Sequence, residues 1–255
     1  MPKQRFSIAA KTYDKHASPQ LALAKELLSF LPKIDPNQIL ELGAGTGQLT
    51  RLLANLFPKS LIDVIDLSEQ MIEQGRSLFL DFPQIRWSVA NAETFQAKTT
   101  YPLIISSSAL HWVNDLETTF RTTYNNLNKE GIFAFGLMLK DTLKELQNIR
   151  QQVAPTKAQT HFLPTEHDVI QALETAGFSV EKSRCNVNRV TYSSATHFLK
   201  AIHEQGVTGG KISKNTLPLT RSELQQVTQE YQAQHATPQG VFCSYETLVV
   251  IAKRQ

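Results

Sequence analysis

The chain has 255 residues, 41% hydrophobic and 19% charged, with a formal net charge of +3. That balance supports a substantial buried core and excludes a disordered tail or a fibre. No apolar run approaches the ~18 residues that span a bilayer, and Lys11 and Asp14 interrupt the N-terminus before a signal-peptide core forms. Two cysteines, Cys185 and Cys243, without a CxxC partner or metal-ligand spacing, are too few for a disulfide scaffold, so a reducing cytoplasm and no metal are expected.

A helix is expected over residues 18–31, with Ser18 as N-cap, Pro19 at the first helical position, and Leu21, Ala24, Leu28 and Leu31 on one face. Apolar runs at 38–42, 61–65, 85–90, 103–107, 132–139, 178–187 and 243–252 read as strands, with Pro102 tolerated at the start of the fourth. Helical patterns lie between the first five, clearest in Leu49, Leu52, Leu53 and Leu56 and in Leu116, Phe120, Tyr124 and Leu127. Thr165 and Asp168 form a capping box for a helix that carries Val169, Leu173 and Ala176 and stops at Gly177. The alternation predicts an α/β fold: one domain over 1–255 with a mostly parallel sheet of seven strands and helices on both faces.

Residues 191–240, between the last two strands, are too long for a hairpin loop and carry helical patterns of their own. One, over 194–205, has Phe198, Leu199 and Ile202; the other is capped by Thr220 with Glu223 and has Leu224, Val227 and Tyr231. This insertion is expected to act as a helical lid jointed at 206–217, and residues 1–31 as an N-terminal helical cover.

The most informative stretch is Ile39 to Gly47, an apolar strand that ends in a G-x-G-x-G loop opening a helix. A dinucleotide fingerprint needs glycine where Gln48 stands, and a P-loop needs Gly-Lys-Ser/Thr, so neither phosphate-binding reading survives. Glu41 before the loop and Asp66 at the end of the next strand make a different pattern, because a carboxylate can accept both hydroxyls of a ribose side by side. Ser68, rather than Asp66, is the expected cap of the following helix.

Here the chain resembles the class I S-adenosylmethionine-dependent methyltransferases, whose first motif, E/D-x-G-x-G-x-G, matches Glu41 to Gly47. The resemblance implies a Rossmann-like sheet with S-adenosylmethionine as cofactor. It also implies a cofactor site in which Glu41, Gly43, Ala44, Gly45 and Gly47 lie against the methionine part and Asp66 holds the ribose. Asn91 and Ala92 would then meet the adenine, Met71 would border ribose and adenine, and Leu67 and Ser107 would complete the set. Asn91 departs from the commoner Asp, but its side-chain oxygen can still accept from the adenine amine.

A finer likeness is carried by Arg5-Phe6-Ser7, Tyr13-Asp14, Ala109 to Trp112, Thr142 to Leu146, Phe162-Leu163-Pro164 and Ser244-Tyr245-Glu246. These look like the malonyl-acyl-carrier-protein O-methyltransferases of biotin synthesis. That likeness implies methylation of the free carboxylate of a malonyl thioester, held on an acyl-carrier protein or coenzyme A. Tyr13 would stand at the pocket mouth, and His111 and Trp112 would line the acceptor side. A carboxylate, ionised at neutral pH, needs no general base, which agrees with the lack of a Ser/His/Asp order or acid–base pair. Other small carboxylates, quinone or phenol precursors, and a non-catalytic S-adenosylmethionine-binding regulator remain open readings. Ser106-Ser107-Ser108-Ala109 replaces the N/D-P-P-Y signature of amino-group methylases of bases and argues against nucleic acid.

The charge is unevenly spread. Residues 182–221 hold seven basic residues, Lys182, Arg184, Arg189, Lys200, Lys211, Lys214 and Arg221, against the single acid Glu204, while the remainder holds 19 basic and 22 acidic residues. A basic stretch at the insertion could steer an acidic carrier protein to the pocket.

Overall fold

A computed structural model of the chain describes residues 17–157, 163–205 and 218–255; Tyr13, Phe162 and the expected joint at 206–217 lie outside them. Helix α1 (Ser18–Phe30) leads into β1 (Gln38–Leu42), α2 (Gln48–Leu56), β2 (Leu61–Asp66), α3 (Glu69–Leu78), β3 (Ile85–Val89) and β4 (Tyr101–Ser107). A 3-10 turn (Leu110–Trp112), α4 (Leu116–Asn126), β5 (Leu127–Met138) and α5 (Lys144–Val153) follow. The chain closes with α6 (Glu166–Thr175), β6 (Phe178–Tyr192), α7 (Ala195–Glu204), α8 (Arg221–Gln234), β7 (Ala236–Thr237) and β8 (Gly240–Arg254).

The strands form one sheet in the order β3-β2-β1-β4-β5-β8-β6, with the two-residue β7 paired to β8 as an eighth member. β1 to β5 run parallel, and β8 enters antiparallel between β5 and β6. The chain winds outward from β1 to β3, then returns to β4 on the other side of β1. That reversal leaves a crevice at the carboxyl ends of β1 and β4, where neighbouring crossovers diverge to opposite faces.

Burial on both faces explains the near-continuous apolar runs of the inner strands. Ile39, Ile62, Val64, Leu103 and Ile105 pack against Leu23, Leu27, Leu49 and Leu53 of α1 and α2. Leu40, Leu42, Ile104, Phe133 and Phe135 face Phe120 of α4 and Val169 and Leu173 of α6. A third core gathers Ile149 of α5, Phe198 and Ile202 of α7 and Val227 and Tyr231 of α8 on Met138, Val241, Cys243 and Tyr245. Both capping boxes form, Thr165 with Asp168 and Thr220 with Glu223. No helix among the described residues is long and apolar enough to cross a membrane.

Several sequence expectations need correction. Ala17, without a side-chain cap, is the N-cap of α1, so Ser18 and Pro19 lie inside the helix. The buried stripe of α1 is Gln20, Leu23, Ala24 and Leu27, with Leu21, Leu28 and Leu31 only partly covered, because α1 lies across the sheet rotated from the leucine row. β4 begins at Tyr101, and Pro102, which has no N–H to give to a ladder, sits at a register shift between Tyr101 and Leu103. β6 runs on to Tyr192 and β8 starts at Gly240, so the ends of the expected insertion belong to the sheet.

Those longer strands matter for position. The last pair between β5 and β8 is Met138 with Thr247. Beyond it β6 and β8 continue for six residue pairs, Val187 with Glu246 to Tyr192 with Val241. At ~3.3 Å per residue this ladder projects roughly 20 Å past the carboxyl end of β5, and α7 and α8 pack on it.

Candidate functional site

The loop from Gly43 to Gly47 bends back on its own neighbours. Gly43 and Ala44 both donate N–H to the Ile65 carbonyl, at 2.8 and 3.2 Å, and Gly47 donates to the Ala44 carbonyl at 3.0 Å. The Gly45 N–H donates to Asp66 Oδ2 at 2.9 Å. A phosphate cradle keeps such amides aimed at the ligand; here four of them are spent on the protein. Glycine is required at both ends of the bend. Gly43 has φ +69°, and a Cβ there would lie 2.3 Å from Ala109 Cβ; Gly47 has φ +97°, and a Cβ there would meet the Phe79 ring at 2.6 Å.

Two carboxylates flank the loop. Asp66 takes the Ser68 N–H on Oδ1 at 2.8 Å and that of Gly45 on Oδ2, which leaves each oxygen a second lone pair. Burial raises its pKa, while these backbone donors hold it down. Ser68, not Asp66, caps α3, through the Met71 amide. Glu41 is buried and accepts from Thr50 Oγ1 at 2.7 Å. Burial, with a smaller contribution from the Asp66 charge, pushes its carboxyl up to about 8, against the opposing pull of Thr50.

Between them opens a cleft of about 390 Å³, its mouth included, bounded by Gln20 of α1, Glu41, the Gly43–Gly45 bend, and Ser107 and Ser108 at the end of β4. Three of its lining residues carry a buried side-chain oxygen with no hydrogen-bond partner among the described residues: Gln20 Oε1, Ser107 Oγ and Ser108 Oγ. Ser108 also holds a left-handed backbone, φ 57°, uncommon for a residue with a Cβ. Neither lysine nor arginine lines the cleft among the described residues. Unpartnered oxygens, two of them hydroxyls, with no lysine or arginine beside them suit a hydrogen-bond-donating group better than a lone anion. An S-adenosylmethionine amino-acid arm brings such a donor, its ammonium, beside a sulfonium and a carboxylate.

Glu41, Gly43, Ala44, Gly45 and Ser107 thus come together in the cleft, and Gly47 closes the bend behind them. Asp66 is tied to the bend through Gly45, with Leu67, 48% exposed, beside it. Met71 is buried on α3. Asn91 and Ala92 follow β3, whose Val89 pairs with Asp66. The Asn91 side-chain oxygen accepts the Glu93 N–H at 3.0 Å, so the acceptor expected to face an adenine amine has one lone pair already committed. His111 and Trp112 lie in the 3-10 turn after β4, their rings 4.9 Å apart. His111 is buried, and its Nδ1 accepts the Met138 N–H at 3.4 Å, which places the imidazole proton on Nε2.

Gln20 and Ser108 escaped the sequence reading. A signal for the first existed: Gln20, Ala24 and Leu27 fall at i, i+4 and i+7, so one polar residue sits on the stripe that α1 buries. For Ser108 no local pattern announces a left-handed residue.

A family model described as a methyltransferase domain matches residues 13–183. Malonyl-[acyl-carrier protein] O-methyltransferase of Bacillus anthracis is 29% identical to this chain over 258 residues, spanning 96% of this chain and 94% of that protein. The Bacillus cytotoxicus protein of the same name is 30% identical over 215 residues, 81% of this chain and 75% of its own length. The solved structure of an S-adenosylmethionine dependent methyltransferase from Mesorhizobium loti shares the fold, with a TM-score of 0.56 at 18% identity, covering 90% of this chain and 96% of that one. The match runs across two-thirds of the sequence and takes in the strands and the glycine bend that line the cleft: this chain belongs to the methyltransferase domain family.

Proposed function

We propose that the protein transfers a methyl group from S-adenosylmethionine to the free carboxylate of a malonyl thioester, carried on an acyl-carrier protein or on coenzyme A, early in biotin synthesis. The observation that carries the cofactor half of this reading is the cleft itself, lined by Glu41, by three residues with unpartnered buried oxygens, and by a bend whose amides are already occupied. The acceptor half is supported by relatives named for that reaction, whose likeness extends through the C-terminal third of the chain.

Bound in the cleft, S-adenosylmethionine supplies an electrophilic methyl group on a sulfonium. The protein's part is binding, orientation and exclusion of water. Asp66 keeps two outward lone pairs for the ribose hydroxyls, held in place by the Ser68 and Gly45 amides. Leu67 offers exposed apolar surface beside it for the purine. A malonyl carboxylate has a pKa near 4 and arrives ionised, so no side chain has to remove a proton. With Nδ1 accepting the Met138 amide, His111 is assigned to hold and orient the acceptor rather than to act as a base. Trp112 is assigned to the acceptor side; Tyr13, expected there from the sequence, lies outside the described residues. Most of the rate then comes from holding the carboxylate oxygen in line with the methyl carbon and away from water. The ester product has lost the charge that makes a terminal carboxylate costly to bury in an apolar tunnel.

The test is transfer of labelled methyl from S-adenosylmethionine to malonyl carrier protein, malonyl coenzyme A, free small acids and quinone precursors. Label in the malonyl thioesters alone is the expected result. Label in another acceptor refutes the substrate, and binding without transfer to any acceptor favours a regulator.

A further inference from the structure

Gln20 belongs to none of the motifs that mark the cofactor site, and it lies on α1, outside the strand-and-loop frame that carries them. It is 7% exposed, and its side-chain oxygen has no partner among the described residues although the rest of the α1 stripe is apolar. A buried amide oxygen left unpaired costs stability, and leucine would pack there at no such cost, which points to a bound donor that completes the site.

The direction of the ligand follows from the layout. Asp66 is fixed to Gly45 of the bend, and Gly45 lines the cleft together with Gly43, Ser107, Ser108 and Gln20. A nucleoside sugar on Asp66 therefore brings the arm attached to it to the cleft that Gln20 lines. We propose that Gln20 is a cofactor-binding residue that receives the α-ammonium of the amino-acid arm on Oε1, together with Ser107 and Ser108. An ammonium has three donors and no acceptor, and these three side chains offer three unclaimed oxygens. α1 thereby becomes part of the recognition of the arm and not only a cover over the apolar face. This assignment rests on the S-adenosylmethionine reading given above.

Two ligands separate the assignment from that reading. S-adenosylhomocysteine carries the amino-acid arm; 5′-methylthioadenosine has the same nucleoside and a thioether but no arm. Calorimetric titration of the full chain is run on the wild type, on Gln20→Met, which keeps length and bulk without polar atoms, and on Gln20→Glu, which keeps an acceptor at the same reach. The expected result is a loss of about tenfold or more for S-adenosylhomocysteine in Gln20→Met with methylthioadenosine changed less than about twofold, the size of a lost hydrogen bond to a charged group. Gln20→Glu retains or tightens the S-adenosylhomocysteine affinity. Equal losses for both ligands in Gln20→Met, or no loss for either, overturn the assignment. If Gln20→Met does not fold, a Gln20→Glu chain that loses S-adenosylhomocysteine as strongly as methylthioadenosine overturns it as well. A wild type that binds neither ligand overturns the cofactor reading and the assignment with it.

Discussion

Placing a methyl group on Gly43 tests the packing of the bend against the turn after β4. In Gly43→Ala the new Cβ would lie 2.3 Å from Ala109 Cβ, where carbon atoms settle at ~3.5–4.0 Å. Neither side yields easily. The Gly43 amide is tied to the Ile65 carbonyl at 2.8 Å, and the Ala109 carbonyl accepts the Trp112 N–H at 3.0 Å as the 3-10 turn begins. The left-handed backbone at φ +69° adds about 1–2 kcal/mol for any residue with a Cβ, and overpacking adds about 1–3 kcal/mol. The single variant should therefore lose about 2–5 kcal/mol of stability. Ala109→Gly alone should cost at most about 1 kcal/mol. In its background Gly43→Ala should regain the overpacking part and keep only the backbone penalty, a coupling of about 1–3 kcal/mol. Urea unfolding of the four chains measures this, and S-adenosylhomocysteine titration follows the site in parallel. Costs that add to within about 0.5 kcal/mol would refute the contact, and with it the claim that bend and turn support each other.

Asp66→Ala should weaken S-adenosylhomocysteine and 5′-methylthioadenosine together by about tenfold or more, since both present the ribose; equal affinity in the variant removes Asp66 from the sugar. Because folding raises the Glu41 carboxyl from 4.5 to about 8, the folded chain binds more protons than the unfolded one across that range. Its contribution to stability is thus fully present below about pH 4.5 and is lost as pH rises through about 8. Wild type should fall relative to Glu41→Gln over that window in urea unfolding at stepped pH, and parallel profiles would contradict it. His111→Ala and Tyr13→Phe should each lower turnover by about tenfold or more while S-adenosylhomocysteine affinity stays within about twofold; unchanged turnover takes them out of the acceptor side. Reversing Lys211, Lys214 and Arg221 to Glu should reduce kcat/KM for a malonyl carrier protein more than for malonyl coenzyme A, and equal reductions count against carrier docking there.

What could be read from the sequence was whatever is encoded locally. The Gly43–Gly47 bend, Asp66, the Ser68 cap and both capping boxes depend on a few neighbouring residues and fall where their spacing placed them. Boundaries failed where the signal is tertiary. Leu127 continues the helical spacing of Leu116, Phe120 and Tyr124, yet the helix ends at Asn126 and pairing with Tyr101 draws Leu127 into β5. The strand pattern of β6 fades at Val187, since Asn188, Arg189 and Thr191 beyond it are polar; their strand character comes from the β8 ladder. The charge-rich stretch was legible as composition but not as a surface. Lys182 and Arg184 stand over Phe30 of α1, whereas Arg189 stands over Phe242 of β8, because alternate residues of a strand point to opposite faces. Gln20 was hidden for a similar reason: which stripe of α1 is buried is decided by the sheet beneath it.

The protruding β6–β8 ladder has a consequence for how this architecture can diversify. Chain departs at Tyr192 and re-enters at Val241, and these residues are paired across the two strands. An excursion that starts and ends on adjacent rungs asks nothing of the rest of the sheet, and its closure entropy grows only slowly with its length. Its helices can be lengthened, shortened or exchanged while β1, β2 and β4 keep their spacing around the cation-binding cleft. The paired strands thus form a socket into which one excursion can be exchanged for another without disturbing the parallel sheet, and α7 and α8 are the excursion this chain carries.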